Sequence, residues 1–416
     1  NAMQRYARDS TRLGIPLFLA EECPHGHMAI GTTVFPTAIG RASTWNTELE
    51  ERVAEIVALE ARLQGGHIGY GPVLDVAREL RWSRVEEGYG EDPFLSGSMG
   101  SAYVRGLQGG NVGSGENVIA TLKHFTAYGV PEGGHNAGMA HVGVRELLTE
   151  LSYPFEMAVK AGALSLMTAY NEVDGIPCTA NPFLTNQLLR DQWGFSGFVV
   201  SDLYAIDGLM SQRVAAGRDE AGILALRSGV DSDLGGNCFS ADLVRACREG
   251  RLAEADIDRA VSRILRLKFK MGLFDNPYVK VKKAEKLIGT SGHREVAREV
   301  ARQSVVLLKN ENQLLPLSKE VKRVAVIGPN ADNVYNQLGD YTAPQAPGSV
   351  ITVLEGIRQK LPGAEVRYVK GCAVRDTLDT SIGEACETAK NSDVVVVVLG
   401  GASARDFETD FLETGA

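Results

Sequence analysis

A carboxylate at the end of a buried strand is costly unless it has partners or chemistry to perform. Asp202 stands in that position, closing the β-rich run of GFSGFVVSDLYAID at residues 194–207. Taken alone, the segment leaves two readings open, a helix N-cap and a reacting carboxylate. Neighbouring clusters tilt the choice toward the second. In KHF, residues 123–125, Lys123 and His124 also end an apolar run. They offer donors for several hydroxyl groups and a positive field that keeps a nearby aspartate ionised. Without further company such a pair is ordinary solvated surface. Arg84, in RWSRVEEGYGEDP at 81–93, presents a planar fork of N–H groups suited to adjacent sugar hydroxyls or to a carboxylate. Glu86, Glu87, Glu91 and Asp92 around it are expected to hold the loop and cap the next helix. In AEECPHG, 20–26, Glu22 is placed to accept from a hydroxyl pair, ahead of His25, which with Gly26 shapes the turn. The inventory holds no metal-ligand set, no phosphate loop and no Ser-His-Asp arrangement. A carboxylate surrounded by charge-assisted donors suits a neutral polyhydroxylated substrate, and it is what retaining glycoside hydrolysis requires.

The elements that must position these residues repeat one theme over residues 1–276: a short apolar run ends on a polar residue and is followed by loop and helix. The runs are 15–20 ending at Glu21 and Glu22, 68–76 around Asp75, 118–122 ending at Lys123 and His124, 163–169 ending at Tyr170 and Asn171, 198–200 ending at Ser201 and Asp202, and 229–234 carrying Asp231 and Asp233. Short, wholly apolar strands fit a parallel sheet buried on both faces. Amphipathic helices are expected between them, as at 47–64, where Leu49, Val53, Ile56, Val57 and Leu63 follow the helical period. Polar residues at strand C-termini are where a (β/α) barrel builds its site. Six strands fall short of the eight of a full barrel, so either a strand precedes Asn1 or the barrel is irregular.

The pattern lapses at 277–292 into polar and basic residues with turn formers, read as a linker. From 293 onward a second, mainly parallel α/β domain is expected, with a helix at 294–303, strands at 305–308, 324–327, 366–369 and 394–399, and helices near 350–360 and 382–390. Its alternation looks unfinished at Ala416, and the helix-like opening at Asn1 is expected to lie inside a domain. IGPNAD at 327–332 lacks the further glycines of a dinucleotide loop and the lysine of a P-loop, which favours a plain strand-to-helix turn.

Composition narrows the class. Of 416 residues 44% are hydrophobic and 23% charged, and no run approaches the ~20 apolar residues needed to span a bilayer. The net charge of -9 arises from 52 acidic and 43 basic residues without a basic block, so nucleic acid and anionic membranes are not expected partners. The six cysteines show no CxxC or CxxH spacing, which points to buried free thiols rather than a zinc or redox centre. A homodimer is left open. A periplasmic or secreted location is preferred, with a cytoplasmic one not excluded.

The segments GIPLFLAEECPHGH, TVFPTAIG, RWSRVEEGYGEDP, KHFTAYGVPEGGHN, MTAYNEVDGIPCTAN, GFSGFVVSDL, SVVLLKNENQLLPL and VAVIGPNAD resemble, in order, those of glycoside hydrolase family 3. The resemblance covers essentially the whole chain. It implies an often irregular (β/α)8-like barrel of the TIM type followed by an α/β sandwich, here incomplete, that donates the acid/base glutamate to a shared cleft. It also implies Asp202 as nucleophile and Glu22, Arg84, Lys123, His124, Met167 and Tyr170 as the lining of the terminal-sugar pocket. No metal or cofactor is expected, and the substrate is expected to be a small oligosaccharide or β-glycoside.

This sequence departs from the family in three places. Leu203 follows the nucleophile where many members carry Trp or Tyr, so an aromatic wall of the pocket is either missing or supplied by Tyr204. The acid/base glutamate is expected in the second domain beyond the stretch VVVVVLGGASARDFETDFLETGA, past Ala416; Glu408 and Glu413 are available and neither is assigned. The KHFPG-type loop of the family's β-N-acetylhexosaminidases is absent. Glu22 stands where many glucose-acting members place Asp, and its extra methylene takes the space of a C6 hydroxymethyl, so a retaining exo-β-glycosidase leaning toward β-xylosides is expected. The alternatives are a β-glucosidase, a phosphorylase using the same nucleophile, and an inactive sugar-binding fragment without the acid/base glutamate.

Overall fold

The computed structural model describes residues 1–374, 376–378 and 380–403. It divides into two compact units, Asn1–Ser304 and Val305–Ala416. In the first, β1 (Ala20–Glu22), β2 (Ile68–Val73), β3 (Ile119–Phe125) and β4 (Ser165–Thr168) precede a two-stranded hairpin of β5 (Glu172–Val173) and β6 (Ile176–Pro177), and β7 (Phe198–Ser201) follows. The main sheet runs β1-β2-β3-β4-β7 with every pairing parallel. Helices lie between successive strands, so the unit is a barrel-like α/β structure.

Alternation along β3 divides the two faces. Ile119 joins Ile68, Tyr70, Met167, Phe198 and Val200 in an inner apolar cluster, whereas Ala120, Leu122 and Phe125 pack in the layer beneath the helices. Leu267 and Met271, at the end of the helix Glu254–Lys270, also enter the inner cluster, and Lys268 Nζ donates to the Pro16 carbonyl at 2.8 Å. A helix thereby supplies interior packing beside β1, which accounts for an irregular barrel. The run at 229–234 makes only a single bridge, Ser232 to Val200, in place of the expected sixth strand. Its carboxylate Asp231 is taken up by Arg190 and Arg263 at 2.8 and 2.7 Å.

The helix Thr47–Gln64 starts on Asn46, whose side chain accepts from Leu49 N, and ends on Gly65 in the left-handed region. The helix Pro93–Gln108 starts on Asp92, which accepts from Leu95 N at 2.7 Å, with Pro93 in the first turn. These two helices pack so closely that a Cβ on Gly106 would meet the Glu51 carbonyl oxygen and Ala54 Cβ.

The stretch 277–292, read from sequence as a linker, lies within the first unit and carries the helix Val281–Leu287. Glu60, buried on Thr47–Gln64, explains why it docks: its Oε1 accepts from Gly289 N at 2.8 Å and from His293 Nδ1 at 2.7 Å. The second unit holds a parallel sheet β10-β8-β9, from β8 (Arg323–Ile327), β9 (Glu365–Val369) and β10 (Val394–Val397). The helix Val353–Lys360 opens on a reciprocal capping box between Thr352 and Glu355. In IGPNAD, a Cβ on Gly328 would strike the Val398 carbonyl, so this glycine serves close strand packing at a turn. The expected strand at 305–308 has no regular secondary structure, is exposed, and pairs with no described strand.

Candidate active site

The C-terminal ends of β1, β2, β3, β4 and β7 bring most of the sequence-selected residues together. From β1, Glu22 Oε2 accepts a hydrogen bond of 2.8 Å from Lys123 Nζ, which rises from β3 and is only 1% exposed. Burial raises the Glu22 carboxyl above its ordinary range, and the ammonium of Lys123 opposes that shift. The neighbouring Glu21 faces His27 instead, at 3.5 Å. His25 is buried with Nδ1 2.9 Å from the Phe35 carbonyl and belongs to the loop, as expected from its place in the turn.

Arg84 is clamped from several sides. Its Nε and Nη2 donate to Glu87 Oε1 and Oε2 at 2.6 and 2.8 Å, Nη1 reaches the Tyr128 hydroxyl at 3.3 Å, and the guanidinium lies 5.2 Å above the Tyr128 ring centre. Nη2 also lies 3.0 Å from His124 Nε2. On its other side, His124 Nδ1 is 2.8 Å from Asp75 Oδ2, and Asp75 is buried just beyond β2. Burial raises the Asp75 carboxyl, and the nearby Arg84 charge and the backbone N–H of His124 oppose that shift. His124 falls well below its usual value because burial disfavours its charged form, reinforced by Arg84 and Lys123.

Asp202, 7% exposed at the end of β7, uses Oδ1 to accept from Leu203 N at 2.7 Å. Its Oδ2 has no hydrogen-bond partner among the described residues and sits 3.7 Å from His124 Nε2. Burial raises its pKa, and the positive charges of Arg84 and Lys123 pull in the opposite direction. Tyr170 follows β4, donates its hydroxyl to the Leu203 carbonyl at 2.9 Å and stands beside the Asp202 carboxylate. Met167, on β4, is buried in the inner apolar cluster. Leu203 and Tyr204 are 47% and 56% exposed, and both side chains lie against Gly235. Glu408 and Glu413 lie outside the described residues.

Three participants had no place in the sequence-selected set: Asp75, Glu87 and Tyr128. Asp75 sits at a strand end like the others, and Glu87 is one helical turn from Arg84, which were the available signals. Among the described residues, Asp207, Asp233 and Cys238 alone bring three metal-capable atoms within 4.8 Å of one another. Arg218 already pairs with Asp207 at 2.9 Å, and Asp233 Oδ2 accepts from Cys238 N at 2.8 Å. Beside Tyr170, whose carbonyl accepts from Gln212 Nε2 at 2.9 Å, a groove of about 550 Å³ is lined by Glu132, His135, Met139, Glu172 and Gln212.

The arrangement is a buried carboxylate with one oxygen that accepts no hydrogen bond among the described residues, two cations that favour its ionised form, and hydrogen-bonding groups from separate strands. No helix among the described residues is long and apolar enough to cross a membrane. Comparison with known proteins matches residues 1–267 to the glycosyl hydrolase family 3 N-terminal domain and residues 305–413 to the C-terminal domain of the same family. A β-xylosidase from Formosa agariphila is 40% identical over 96% of this chain and 58% of its own length. A periplasmic β-glucosidase from Salmonella typhimurium is 35% identical over 96% of this chain and 55% of its own. Among solved structures, a β-glucosidase from Erythrobacter marinus superposes with a TM-score of 0.91 at 37% identity, over 98% of this chain and 58% of that one. The chain thus spans a little over half the length of the relatives it matches.

Proposed function

Because the chain belongs to glycoside hydrolase family 3, we propose that it carries the nucleophile half of a retaining exo-β-glycosidase that removes the terminal non-reducing sugar from oligosaccharides or β-glycosides. Asp202 Oδ2 attacks the anomeric carbon and forms a glycosyl ester while a carboxylic acid protonates the leaving oxygen; water then cleaves the ester with that same group acting as base. Lys123 and Arg84 oppose the effect of burial on Asp202 and so favour the ionised form in which it attacks. Lys123, Glu22, Arg84, His124 and Tyr170 surround the terminal ring, with Met167 beneath it. The acid/base residue is not assigned; Glu408 and Glu413 lie outside the described residues.

The observation that carries this reading is the divided state of the Asp202 carboxylate. One oxygen is fixed by Leu203 N, and the other is buried without a hydrogen-bond partner among the described residues. Tyr170 stands beside this carboxylate and lowers its pKa, but its hydroxyl is directed to the Leu203 carbonyl. Leaving a buried carboxyl oxygen without a fixed partner is costly, and a reacting group is the kind of site where that cost persists. Asp202→Asn in the full protein is expected to abolish hydrolysis of aryl β-glycosides with an unchanged circular dichroism spectrum and a melting temperature no lower than that of wild type. Near-normal turnover in that variant excludes the assignment.

For the sugar, the preferred substrate is a β-D-xyloside. Glu22 is anchored through Oε2 to Lys123, and its extra methylene relative to Asp supports a steric preference against a C6 hydroxymethyl group. The names of the Salmonella typhimurium and Erythrobacter marinus relatives favour a second reading, a β-D-glucoside. Relative kcat/KM for the two aryl glycosides decides between them.

A further inference from the structure

Both ring nitrogens of His124 are occupied, and the chemistry of the partners fixes where its proton resides. Arginine carries only donors, so the Arg84 Nη2 that lies 3.0 Å from Nε2 requires a lone pair on that nitrogen. A doubly protonated ring would set an N–H against the guanidinium N–H. A neutral ring has one proton, which must then be on Nδ1, pointing at Asp75 Oδ2 2.8 Å away. Asp75 also lies 3.3 and 3.4 Å from the backbone N–H of His124, so one fully buried carboxyl engages the residue twice.

We propose that Asp75 is a positioning residue that locks His124 as its Nδ1–H tautomer, making Nε2 an acceptor that holds Arg84 in place beside Asp202. Nη2 is shared between His124 Nε2 at 3.0 Å and Glu87 Oε2 at 2.8 Å, so His124 and Glu87 together fix the guanidinium edge, while Tyr128 lies beneath its face. The sequence-based expectation that His124 supplies a donor to a sugar hydroxyl changes accordingly: in this tautomer Nε2 accepts. Replacing Asp75 by Asn keeps the shape but introduces an NH2 that can donate to Nδ1 and drive the proton to Nε2, opposite Arg84. The kinetic part of this inference rests on the proposed role of Asp202; the tautomer does not.

The test uses the full protein with 15N-labelled histidine, the His124 signals being assigned by their loss in His124→Gln. Wild type is expected to show Nδ1 as the protonated and Nε2 as the unprotonated nitrogen across neutral pH, and Asp75→Asn to exchange them or mix both forms. In parallel, Asp75→Asn is expected to lower kcat for an aryl glycoside about 100-fold, as misplacement of a site group does, with a smaller change in KM. Its acid limb should move to higher pH as Arg84 withdraws from Asp202. The groups facing that carboxylate are His124, Lys123, Arg84, Glu22, Tyr70, Tyr128 and Tyr170, and among them this substitution displaces His124 and Arg84. Asp75→Glu should recover part of the loss. A protonated Nε2 in wild type overturns the proposal even if Asp75→Asn fails to fold, and so does a folded Asp75→Asn with unchanged tautomer and acid limb. If the tautomer is as stated and Asp202→Asn remains active, the role of Asp202 fails rather than that of Asp75.

Discussion

Lys123→Met removes the cation that donates to Glu22 and, with Arg84, opposes the effect of burial on Asp202. The Lys123 side chain is 1% exposed and that of Glu22 30% exposed. Breaking a buried ion pair by deleting one partner costs about 3 to 5 kcal/mol, and the residual exposure of Glu22 places this case near the lower end, about 3 kcal/mol at pH 7. Glu22 and Asp202 already sit above their ordinary values through burial, and loss of Lys123 raises both further. A carboxyl whose folded pKa exceeds its unfolded one makes the folded state bind more protons, so stability falls as pH rises through the folded value. The destabilisation of Lys123→Met relative to wild type must therefore be larger at pH 7 than at pH 5, by up to about 1.4 kcal/mol for each unit by which a folded pKa is raised. Urea denaturation of the first unit at both pH values measures this, and the same shift must carry the acid limb of activity to higher pH. A stability difference independent of pH, together with an unmoved acid limb, would refute the placement of Lys123 between the two carboxylates.

Glu22→Asp is expected to shift the ratio of kcat/KM toward the glucoside, by an amount corresponding to about 1 to 3 kcal/mol for one methylene; wild-type preference for glucoside, or no shift, counts against the steric reading. Gly106→Ala is expected to destabilise the first unit by about 1 to 3 kcal/mol through overpacking against Glu51 and Ala54, read as a lowered urea midpoint; no change would mean the helices separate freely.

Much of the barrel was legible because its strands are buried on both faces and read as apolar runs; 68–76, 118–122, 163–169 and 198–200 each contain or adjoin an observed strand. The polar residues that end them were legible for the same reason, since Asp202, Lys123 and Tyr170 interrupt apolar patterns. The run at 229–234 looked identical, yet its Asp231 is consumed by two arginines and only Ser232 meets the sheet. Partnerships across strands were not legible. Asp75 and His124 are 49 residues apart, and Arg84 and Tyr128 44 apart, so no local spacing announces them. The 277–292 stretch has the polar composition of a linker; what binds it is Glu60, an acceptor more than two hundred residues earlier.

The central claim, that Asp202 forms a covalent bond to the sugar, is tested most directly by incubating the full protein with a 2-deoxy-2-fluoro-β-xyloside bearing a good leaving group. A 2-fluoro substituent slows release of the glycosyl ester, so a trapped intermediate accumulates and intact mass spectrometry reads it. The account predicts a mass increase of one fluorosugar per chain, located by peptide fragmentation on Asp202 and absent in Asp202→Asn. An adduct on another carboxylate, or turnover of β-glycosides with inversion at the anomeric carbon, contradicts it.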